Sequence, residues 1–532
     1  MSVFRGQLNL VGRDDMITLD QNDDQAIVAN LKKRFGSNII YTCIGAVQIS
    51  MNPFKNLNVF SKSMIDKYRG KQSYEVPPHI FVLAESAFRA LLTEERSQGI
   101  IISGESGAGK TEAAKGVMEY IAAVTTTGDN IIANVKKVFL QSNPLLETFG
   151  NAKTHRNNNS SRFGKYLEIV FKAGSPVGGR ISVFLLEKNR VTATTKGERS
   201  FHCFYQVFHS KADTKLTKPQ DYKYLQTECY QAEGISDSKD YQETAAAMAA
   251  VGLSSSQADD VWKIVAALLH LGNVTFVKDK DGVKVSNMQV LDTAASLLGV
   301  PASGLNQVLC FRAISSASAR ATHYNKPNTF EEAVAARDAL ACAIHERMFS
   351  YLVEIVNKAM HTDQEGHSIS ILDIFGFECF DENGFSQLAI NYLNEALQKL
   401  FIDLTLKAEQ EEYATEGIQW TPVKYKSNDP QMKLIVGKPA SIFKCLDDAC
   451  LFPNGSDASF LEQLQRNFSS QTEVFSSEKG STVFQVGHYA GWVPYQSEGF
   501  VEANNDKLSQ EAKDLCEVSS VQVLVDAFGS TS

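Results

Sequence analysis

Residues Gly104–Thr111 read GESGAGKT and match the pattern GxxxxGK[ST] at every defined position. The apolar run Gly99–Ser103 before it is typical of a buried strand, and Thr111–Val124 after it has apolar residues at helical spacing. A glycine-rich turn between a strand and a helix lets successive backbone N–H groups bind phosphate oxygens. In this pattern Lys110 reaches the β- and γ-phosphates, and the Thr111 hydroxyl can ligate Mg²⁺. The segment therefore predicts a nucleotide-binding loop in an α/β fold.

The composition and net charge of the chain exclude several classes of protein. The chain has 532 residues, of which 43% are hydrophobic, so it can bury a large core and is neither a disordered chain nor a coiled-coil rod. Its formal net charge of -9 argues against a protein that holds nucleic acid by overall basic charge. The nine cysteines are scattered without a CxxC pair, which predicts neither a metal cluster nor a disulfide framework. The charged N terminus and the short apolar runs predict a soluble, intracellular protein without a signal peptide or membrane contact from this segment.

Two later segments have the residue types that sense a terminal phosphate. Asn157–Lys165, NNNSSRFGK, concentrates amides, hydroxyls and one arginine in nine residues. Asp373–Glu378, DIFGFE, follows the buried strand predicted at Ser368–Leu372 and offers the amide of Gly376 to a phosphate. Each alone is also compatible with an ordinary role, a polar surface loop or the cap of a strand end. Three such elements in this order favour a nucleotide hydrolase.

Alternating strand-like and amphipathic segments predict an α/β fold. We expect a central, mainly parallel twisted sheet flanked by helices, as in P-loop NTPases. Between about residues 210 and 365 the pattern is mostly helical, which predicts a large helical subdomain. A long helix is predicted from Phe385 to about Glu416.

GESGAGKT, NNNSSRFGK and DIFGFE together resemble the P-loop, switch I and switch II of a myosin motor domain. Further similar stretches are IYTCIGAVQISMNPFK (40–55), NPLLETFGNAKT (143–154) and INYLNEALQKLFI (390–402), so the resemblance covers essentially the whole chain. The segment DLTLKAEQEEYATEGIQWTPVKY (403–425) is similar to class I myosins. The pairs Asn325-Lys326 and Asn357-Lys358 lack the Asp of the guanine-reading NKxD motif, so ATP is expected rather than GTP.

The resemblance implies ATP and Mg²⁺ as cofactors and assigns a role to each motif residue. The metal ligands would be Thr111, Ser161 and, through water, Asp373. Phosphate-loop contacts would come from Gly104, Glu105, Ser106, Gly107, Ala108, Gly109, Lys110 and Thr111, joined by Asn157 and the Gly376 amide. Ser160 lies where the family positions the attacking water, and Arg162 and Glu378 resemble the charge pair that closes the site. Catalytic roles are therefore expected for Lys110, Ser160, Arg162, Gly376 and Glu378.

Two further assignments come from the resemblance. Purine contacts are expected from Asn52, Pro53 and the chain as far as Phe60, although Asn56 and Phe60 stand where Arg and Tyr are common in the family. Thr322 lies sixteen residues before Asp338, where class I motors have a phosphorylatable residue or an acid. It is the expected regulatory phosphosite, the alternative being an unmodified loop threonine.

The resemblance also implies actin filaments as the partner, no nucleic acid, and a place in the cytoplasm at the actin cytoskeleton. All 532 residues would form one motor domain: a nucleotide-binding part (1–210), a mostly helical upper actin-facing part (211–365), and switch II, relay helix and lower actin-facing part (366–532). We expect the chain to stop before the reactive-thiol helices, converter, IQ lever arm and tail, so a calmodulin-type light chain would need an IQ extension.

Three functions remain open at this point. The chain is the actin-activated ATPase head of a class I-like motor, a stroke-less ATP-regulated actin-binding module, or a non-hydrolysing nucleotide-binding scaffold.

Overall fold

The computed structural model describes residues 11–105, 107–125, 130–280, 282–315, 323–452, 455–504 and 508–529. The chain forms two compact units. The first contains the described residues up to Ile102, from Gly107 to Ile374 and from Leu508 onward. The second contains Ser103–Glu105 and the described residues from Phe375 to Asn504.

The first unit mixes strands and helices. Its helices are α1 (Asp24–Gly36), α2 (Lys62–Tyr68), α3 (Ile80–Glu94), α4 (Lys110–Val124), α5 (Asn130–Gly150), α6 (Cys203–Gln206), α7 (Asp237–Ala250), α8 (Ser255–Gly272), α9 (Met288–Leu298), α10 (Ala302–Cys310) and α11 (Phe330–Ala359). Its strands are β1 (Tyr41–Ile44), β2 (Val47–Ser50), β3 (Gln98–Ile102), β4 (Asn151–Ala152), β5 (Ser160–Ser161), β6 (Gly164–Lys172), β7 (Ser175–Phe184), β8 (Phe276–Asp279), β9 (Gly282–Val285), β10 (Phe311–Ser315), β11 (His323–Pro327) and β12 (His367–Asp373). The strand and helix predicted on either side of GESGAGKT are therefore confirmed as β3 and α4.

The central sheet has the strand order β3-β12-β6-β7. β3 and β12 are parallel, whereas β12 pairs with β6, and β6 with β7, in antiparallel fashion. The α/β fold class is confirmed, but the expectation of a mainly parallel sheet is wrong for the described strands. The reason lies in the turn between β6 and β7, where Ala173 and Gly174 both have positive φ, 49° and 76°. Two consecutive residues of this kind make a tight hairpin, which forces antiparallel neighbours.

Residues 211–365 are mostly helical, as the sequence predicts. They contain α7 to α11 together with the two hairpins β8–β9 and β10–β11. The longest helix, α11, begins with a capping box in which Thr329 and Glu332 bond each other's backbone N–H groups. The core beneath these helices contains Trp262 and Phe349, which are almost fully buried. Burial of each such large side chain stabilises the fold by about 1.5–3 kcal/mol.

Two short helices near the end of the chain complete the first unit. They are α18 (Gln510–Glu517) and α19 (Gln522–Gly529).

The second unit has its own hydrophobic core. The second unit contains α12 (Phe385–Ile402), α13 (Ala408–Thr415), α14 (Asp429–Val436), α15 (Ile442–Leu451), α16 (Asp457–Phe468), α17 (Phe500–Asn504) and the sheet β13 (Phe475–Ser477), β14 (Val483–His488) and β15 (Gly491–Gln496). The predicted long helix is confirmed as α12 and α13, joined by the π-helical segment Asp403–Lys407. Across the described residues, none of the helices has the length and apolarity needed to span a membrane.

Candidate functional site

The glycine-rich loop leads directly into the N terminus of α4. Gly107 and Gly109 have φ values of 82° and 91°, a conformation that glycine adopts without steric cost. Gly109 is the N-cap of α4 and offers no side chain to the first amides of the helix. These amides and the positive end of the helix dipole make this terminus suitable for an anion such as a phosphate. The backbone of Gly107–Thr111 thus fits the predicted phosphate loop, and Ser106 lies outside the described residues.

The segment around Asn52 braces this loop. The Asn52 amide nitrogen Nδ2 donates a 2.7 Å hydrogen bond to the Gly107 carbonyl, and its Oδ1 accepts one from the Phe54 N–H at 2.9 Å. The Phe60 ring packs on α4, so that a Cβ at Gly116 would lie 2.7 Å from its Cε1 atom. Sequence reasoning missed this supporting role of Asn52. The predicted purine contacts of Asn52, Pro53 and Phe60 stay predictions.

Thr111 and Asp373 meet at the same edge of the sheet. The Thr111 hydroxyl donates a 3.0 Å hydrogen bond to Asp373 Oδ2. Because β3 and β12 are parallel neighbours, the loop after β3 and the last residue of β12 emerge side by side. Mg²⁺ prefers oxygen ligands and usually binds one or two protein groups together with substrate phosphates. A hydroxyl and a carboxylate beside a phosphate loop are a donor set that fits this metal.

A buried lysine lies behind Asp373. Lys165 pairs with Asp373 in the register of β6 and β12, and both residues line a small cavity of about 10 Å³. Its ammonium Nζ lies 3.4 Å from Asn143 Oδ1. Burial lowers the pKa of Lys165, although the carboxylates of Asp373 and Glu147 oppose that shift. The sequence motif NNNSSRFGK contained this lysine, but only the strand register connects it with Asp373.

The polar loop before β6 is tied down by its own side chains. Asn157 Oδ1 accepts a 3.0 Å hydrogen bond from the Asn159 N–H, and the Asn157 N–H donates to Thr154 Oγ1 at 3.1 Å. Ser160 and Ser161 then form the short strand β5, which pairs with β4. Ser160 is buried, and its Oγ accepts a hydrogen bond from Arg162 Nη1 at 3.3 Å. The predicted residues of this segment are therefore fixed by hydrogen bonds.

Arg162 belongs to a buried row of alternating charges. Its Nε lies 2.7 Å from Glu187 Oε2, which also binds Arg190 Nε at 2.6 Å. Arg190 in turn contacts Glu198 at 2.8 Å. Burial alone would raise the pKa of Glu187, but the guanidinium groups of Arg162 and Arg190 outweigh it and lower the pKa to about 2. Sequence reasoning missed Glu187; its one local signal is the i,i+3 spacing to Arg190.

In the second unit, Gly376 comes very close to the start of the phosphate loop. A Cβ at this position would lie 2.0 Å from the Gly104 carbonyl oxygen and 2.6 Å from Glu105 Cα. No side chain fits at such distances, so glycine is required here. The predicted residues Gly104, Glu105 and Gly376 are thus brought together.

The predicted residue Glu378 is held by α12. Its N–H donates to Asn391 Oδ1 at 2.8 Å, and Asn391 Nδ2 donates to the Glu378 carbonyl at 2.7 Å. Gln387 Nε2 lies 3.2 Å from Glu378 Oε2. The first two turns of α12 therefore fix both the backbone and the carboxylate of Glu378. The remaining role assignments stay predictions, and Thr322 lies outside the described residues.

Comparison with known protein families shows which family has these motifs. The family model for the myosin head (motor domain) matches residues 13–532. The chain belongs to the myosin head family. This myosin head therefore has a P-loop NTPase fold, as its sequence predicts.

Its relatives include class I myosins, as the sequence also predicts. It is 46% identical to the myosin ID heavy chain of Dictyostelium discoideum over 97% of this chain and 48% of that protein. The myosin IB heavy chain of the same organism is 46% identical over 97% of this chain and 48% of that protein. The myosin heavy chain IB of Acanthamoeba castellanii is 45% identical over 97% of this chain and 45% of that protein. The chain spans about half the length of these curated relatives.

Proposed function

We propose that this myosin head binds ATP with Mg²⁺, hydrolyses it, and couples the nucleotide state to binding of actin filaments. The observation that carries the proposal is the hydrogen bond between the Thr111 hydroxyl and Asp373. It joins the helix that follows the phosphate loop to the strand end that precedes switch II. Sensing of the γ-phosphate in P-loop enzymes needs both elements.

The proposed chemistry is attack of water on the γ-phosphorus. A bond forms from the water oxygen to phosphorus, the bond from phosphorus to the β,γ-bridging oxygen breaks, and ADP and phosphate are released. Bound Mg²⁺ would neutralise phosphate charge, held by Thr111 and Ser161 and, through water, by Asp373. Lys110, Asn157 and the amide of Gly376 would hold the terminal phosphate. The Ser160 hydroxyl would position the attacking water.

Closure of the site is proposed to depend on Arg162 and Glu378. Each is supported in its own unit, Arg162 by Glu187 and Glu378 by Gln387. An ion pair between them would exclude water other than the nucleophile, which favours charge stabilisation in the transition state.

Coupling beyond the nucleotide is supported by α12. Asn391 bonds both backbone groups of Glu378, and Asn394 Nδ2 donates to the Phe375 carbonyl at 3.3 Å. Any displacement of residues 375–378 would therefore pull on the first turns of this helix. We infer that α12 transmits a movement of switch II away from the nucleotide site.

Actin filaments are the proposed partner, and the actin cytoskeleton in the cytoplasm is the proposed location. At the end of α15, Leu451 and Phe452 are 69% and 61% exposed. Exposed apolar side chains that lie next to each other can contribute to a protein–protein contact. Phosphorylation of Thr322 would add negative charge and modulate filament binding.

The test uses the 532-residue chain. We expect it to co-sediment with actin without ATP, to be released by ATP, and to hydrolyse ATP faster with actin than without, only when Mg²⁺ is present. ATP-dependent release without turnover would instead identify a stroke-less binding module. Nucleotide binding without actin binding would identify a scaffold and contradict the proposal.

A further inference from the structure

His79 lies beside the segment that is expected to contact the purine. It caps the N terminus of α3 with its side chain, and only 2% of the residue is exposed. Ser, Thr, Asp and Asn are the usual residues at such a position, because their short side chains reach the first amides of the helix. A histidine has two ring nitrogens, so it can cap the helix and bind another group at the same time.

The two ring nitrogens of His79 have opposite hydrogen-bonding roles. Nδ1 lies 3.1 Å from the Phe81 backbone nitrogen and accepts from its N–H. Nε2 lies 3.2 Å from the Val59 carbonyl oxygen, which can only accept, so Nε2 is the protonated nitrogen. Burial lowers the pKa of His79 to about 4, although the hydrogen bond to Val59 opposes that shift. The ring is therefore neutral near pH 7, in the one tautomer that satisfies both partners.

Aromatic side chains hold the His79 ring in this orientation. The Tyr68 ring stacks on it with 4.8 Å between the centroids, and the Tyr41 ring meets it edge-on at 4.5 Å. The Phe81 ring lies 4.3 Å away. A flip of the imidazole would put carbon atoms where Nδ1 and Nε2 now lie, and both hydrogen bonds would be lost. Packing and hydrogen bonding therefore fix the same orientation.

The segment 52–60 is anchored near both of its ends. At its start, Asn52 Nδ2 donates to the Gly107 carbonyl at 2.7 Å, and near its end the Val59 carbonyl accepts from His79. Among the residues that the structure describes, these are the two side-chain hydrogen bonds that connect the segment with more distant parts of the chain. The other hydrogen bonds of the segment span two or three residues. Its position therefore depends on both anchors.

The anchor at Val59 also fixes the position of Phe60, the next residue. The centroid of the Phe60 ring lies 6.3 Å from that of His79 and 6.0 Å from that of Phe81. The same ring contacts α4, where a Cβ at Gly116 would lie 2.7 Å from Phe60 Cε1. Phe60 is only partly buried, so part of its surface is accessible to a ligand.

We propose that His79 is a positioning residue for the adenosine part of ATP, because it holds the Val59 carbonyl and thereby Phe60 and the loop that is expected to contact the purine. The inference rests on the proposed function and adds to it a residue that acts through Val59. Without this hydrogen bond, the segment would keep its anchor at Asn52, beside the phosphate loop, and lose the other. Affinity for adenosine would then fall, whereas affinity for the phosphates would be retained.

Two substitutions separate this role from capping of the helix. Asn is among the best N-cap residues, so His79→Asn keeps an acceptor for the Phe81 N–H, but its side chain is too short to reach Val59 as well. His79→Gln has a longer side chain whose amide N–H can still donate to the carbonyl. His361→Asn, which changes an exposed histidine, is the matched control.

The test is calorimetric titration of the 532-residue chain with the β,γ-imido analogue of ATP and with inorganic tripolyphosphate, each in Mg²⁺. Tripolyphosphate has the phosphates without adenosine. We expect His79→Asn to bind the ATP analogue about tenfold more weakly than the wild type, as the loss of about one hydrogen bond predicts, and to bind tripolyphosphate equally well. His79→Gln should recover part of the loss, and His361→Asn should bind both ligands as the wild type does. Equal losses for both ligands in His79→Asn, or no loss for either, would overturn the inference, because a merely structural role would not distinguish them.

A second measurement uses the unsubstituted chain, labelled with ¹⁵N-histidine. The ATP analogue should shift the Nε2–H resonance of His79, which is assigned by its absence from His79→Asn, and tripolyphosphate should leave it in place. A resonance that neither ligand moves, or that both move equally, would overturn the inference while the proposed ATP binding stands. If the wild type binds neither ligand, the proposed ATPase function fails and the inference fails with it.

Discussion

The Thr111 hydroxyl donates a 3.0 Å hydrogen bond to Asp373, a residue 262 positions further along the chain. This contact joins two of the three motifs that the sequence singled out. It depends on the parallel pairing of β3 with β12, which aligns Ile102 with Asp373. The long sequence separation is thus bridged by strand register alone.

The first prediction concerns the hydroxyl of Thr111. Thr111→Ala removes a proposed Mg²⁺ ligand and the donor to Asp373, whereas Thr111→Ser keeps both. We expect the alanine variant to lose about 10–100-fold in Mg²⁺-dependent affinity for a fluorescent ATP analogue. The serine variant should stay close to the wild type. Equal affinities of the alanine variant and the wild type in Mg²⁺ would contradict the assignment, and titration in EDTA gives the metal-independent baseline.

The second prediction concerns pH and Glu187. Its pKa falls from 4.5 in the unfolded chain to about 2 in the folded one, so its contribution to stability is complete above about pH 4.5 and is lost as the pH falls toward 2. The shift corresponds to about 3 kcal/mol. We expect Glu187→Gln to melt at a lower temperature at pH 7 and to lose less stability than the wild type between pH 5 and pH 3.

Glu228→Gln is the matched control for this experiment. Glu228 forms an exposed ion pair with Lys196, and such pairs contribute little to stability. Its melting curves should follow those of the wild type at each pH. Parallel pH profiles of Glu187→Gln and the wild type would show that the buried row of charges does not stabilise the fold.

The third prediction tests the close approach at Gly376. In Gly376→Ala the new methyl group would overlap the Gly104 carbonyl oxygen, which it would meet at 2.0 Å. We expect at least tenfold weaker binding of ATP, or loss of the folded second unit in limited proteolysis. Gly384→Ala is the control, because the nearest atom to its new methyl, Gln387 Oε1, lies 3.8 Å away. Comparable loss in both variants would refute the steric argument.

The fourth prediction concerns the proposed closing pair. Arg162→Glu and Glu378→Arg should each abolish ATP turnover while ATP binding is retained, and the double reversal should restore turnover in part. Recovery stays incomplete because Glu187, which binds Arg162 at 2.7 Å, would then face a second carboxylate. Phosphate release under single-turnover conditions is the measurement. Arg180→Glu, which reverses an exposed charge on β7, is the control for the change in net charge. Normal ATP turnover in Arg162→Glu would contradict the assignment of Arg162 to the closing pair.

The sequence predicted the elements whose signals are local. The phosphate loop, the strand before it, α4 and the long helix α12–α13 all follow from residue types within a few turns of chain. The orientation of β6 and β7 could not be read from their apolar pattern, because it is set by the positive φ of Ala173 and Gly174. An Asn-Gly turn would have signalled the hairpin; Ala-Gly does not.

The sequence did not predict two contacts near the site, for a different reason. Glu187 bonds Arg162, which is 25 positions away in the sequence, and His202 bonds Asn159, which is 43 positions away. Taken alone, Glu187 and His202 are ordinary polar side chains in apolar stretches. Their roles arise only when the strands and helices bring them together, which no spacing rule encodes.

The π-helical segment Asp403–Lys407 has a consequence for the helix that follows it. A π turn contains about one residue more than an α turn, so side chains beyond it are rotated by about 100° about the axis. The apolar stripe of α12 is therefore out of phase with α13, which has no buried residue. If 403–407 kept all its residues but had regular α geometry, Tyr413 would lie on the side of the helix that Leu388 and Ile402 occupy. The segment thus acts as an angular offset, which turns the side chains of α13 away from the direction of the apolar stripe on α12.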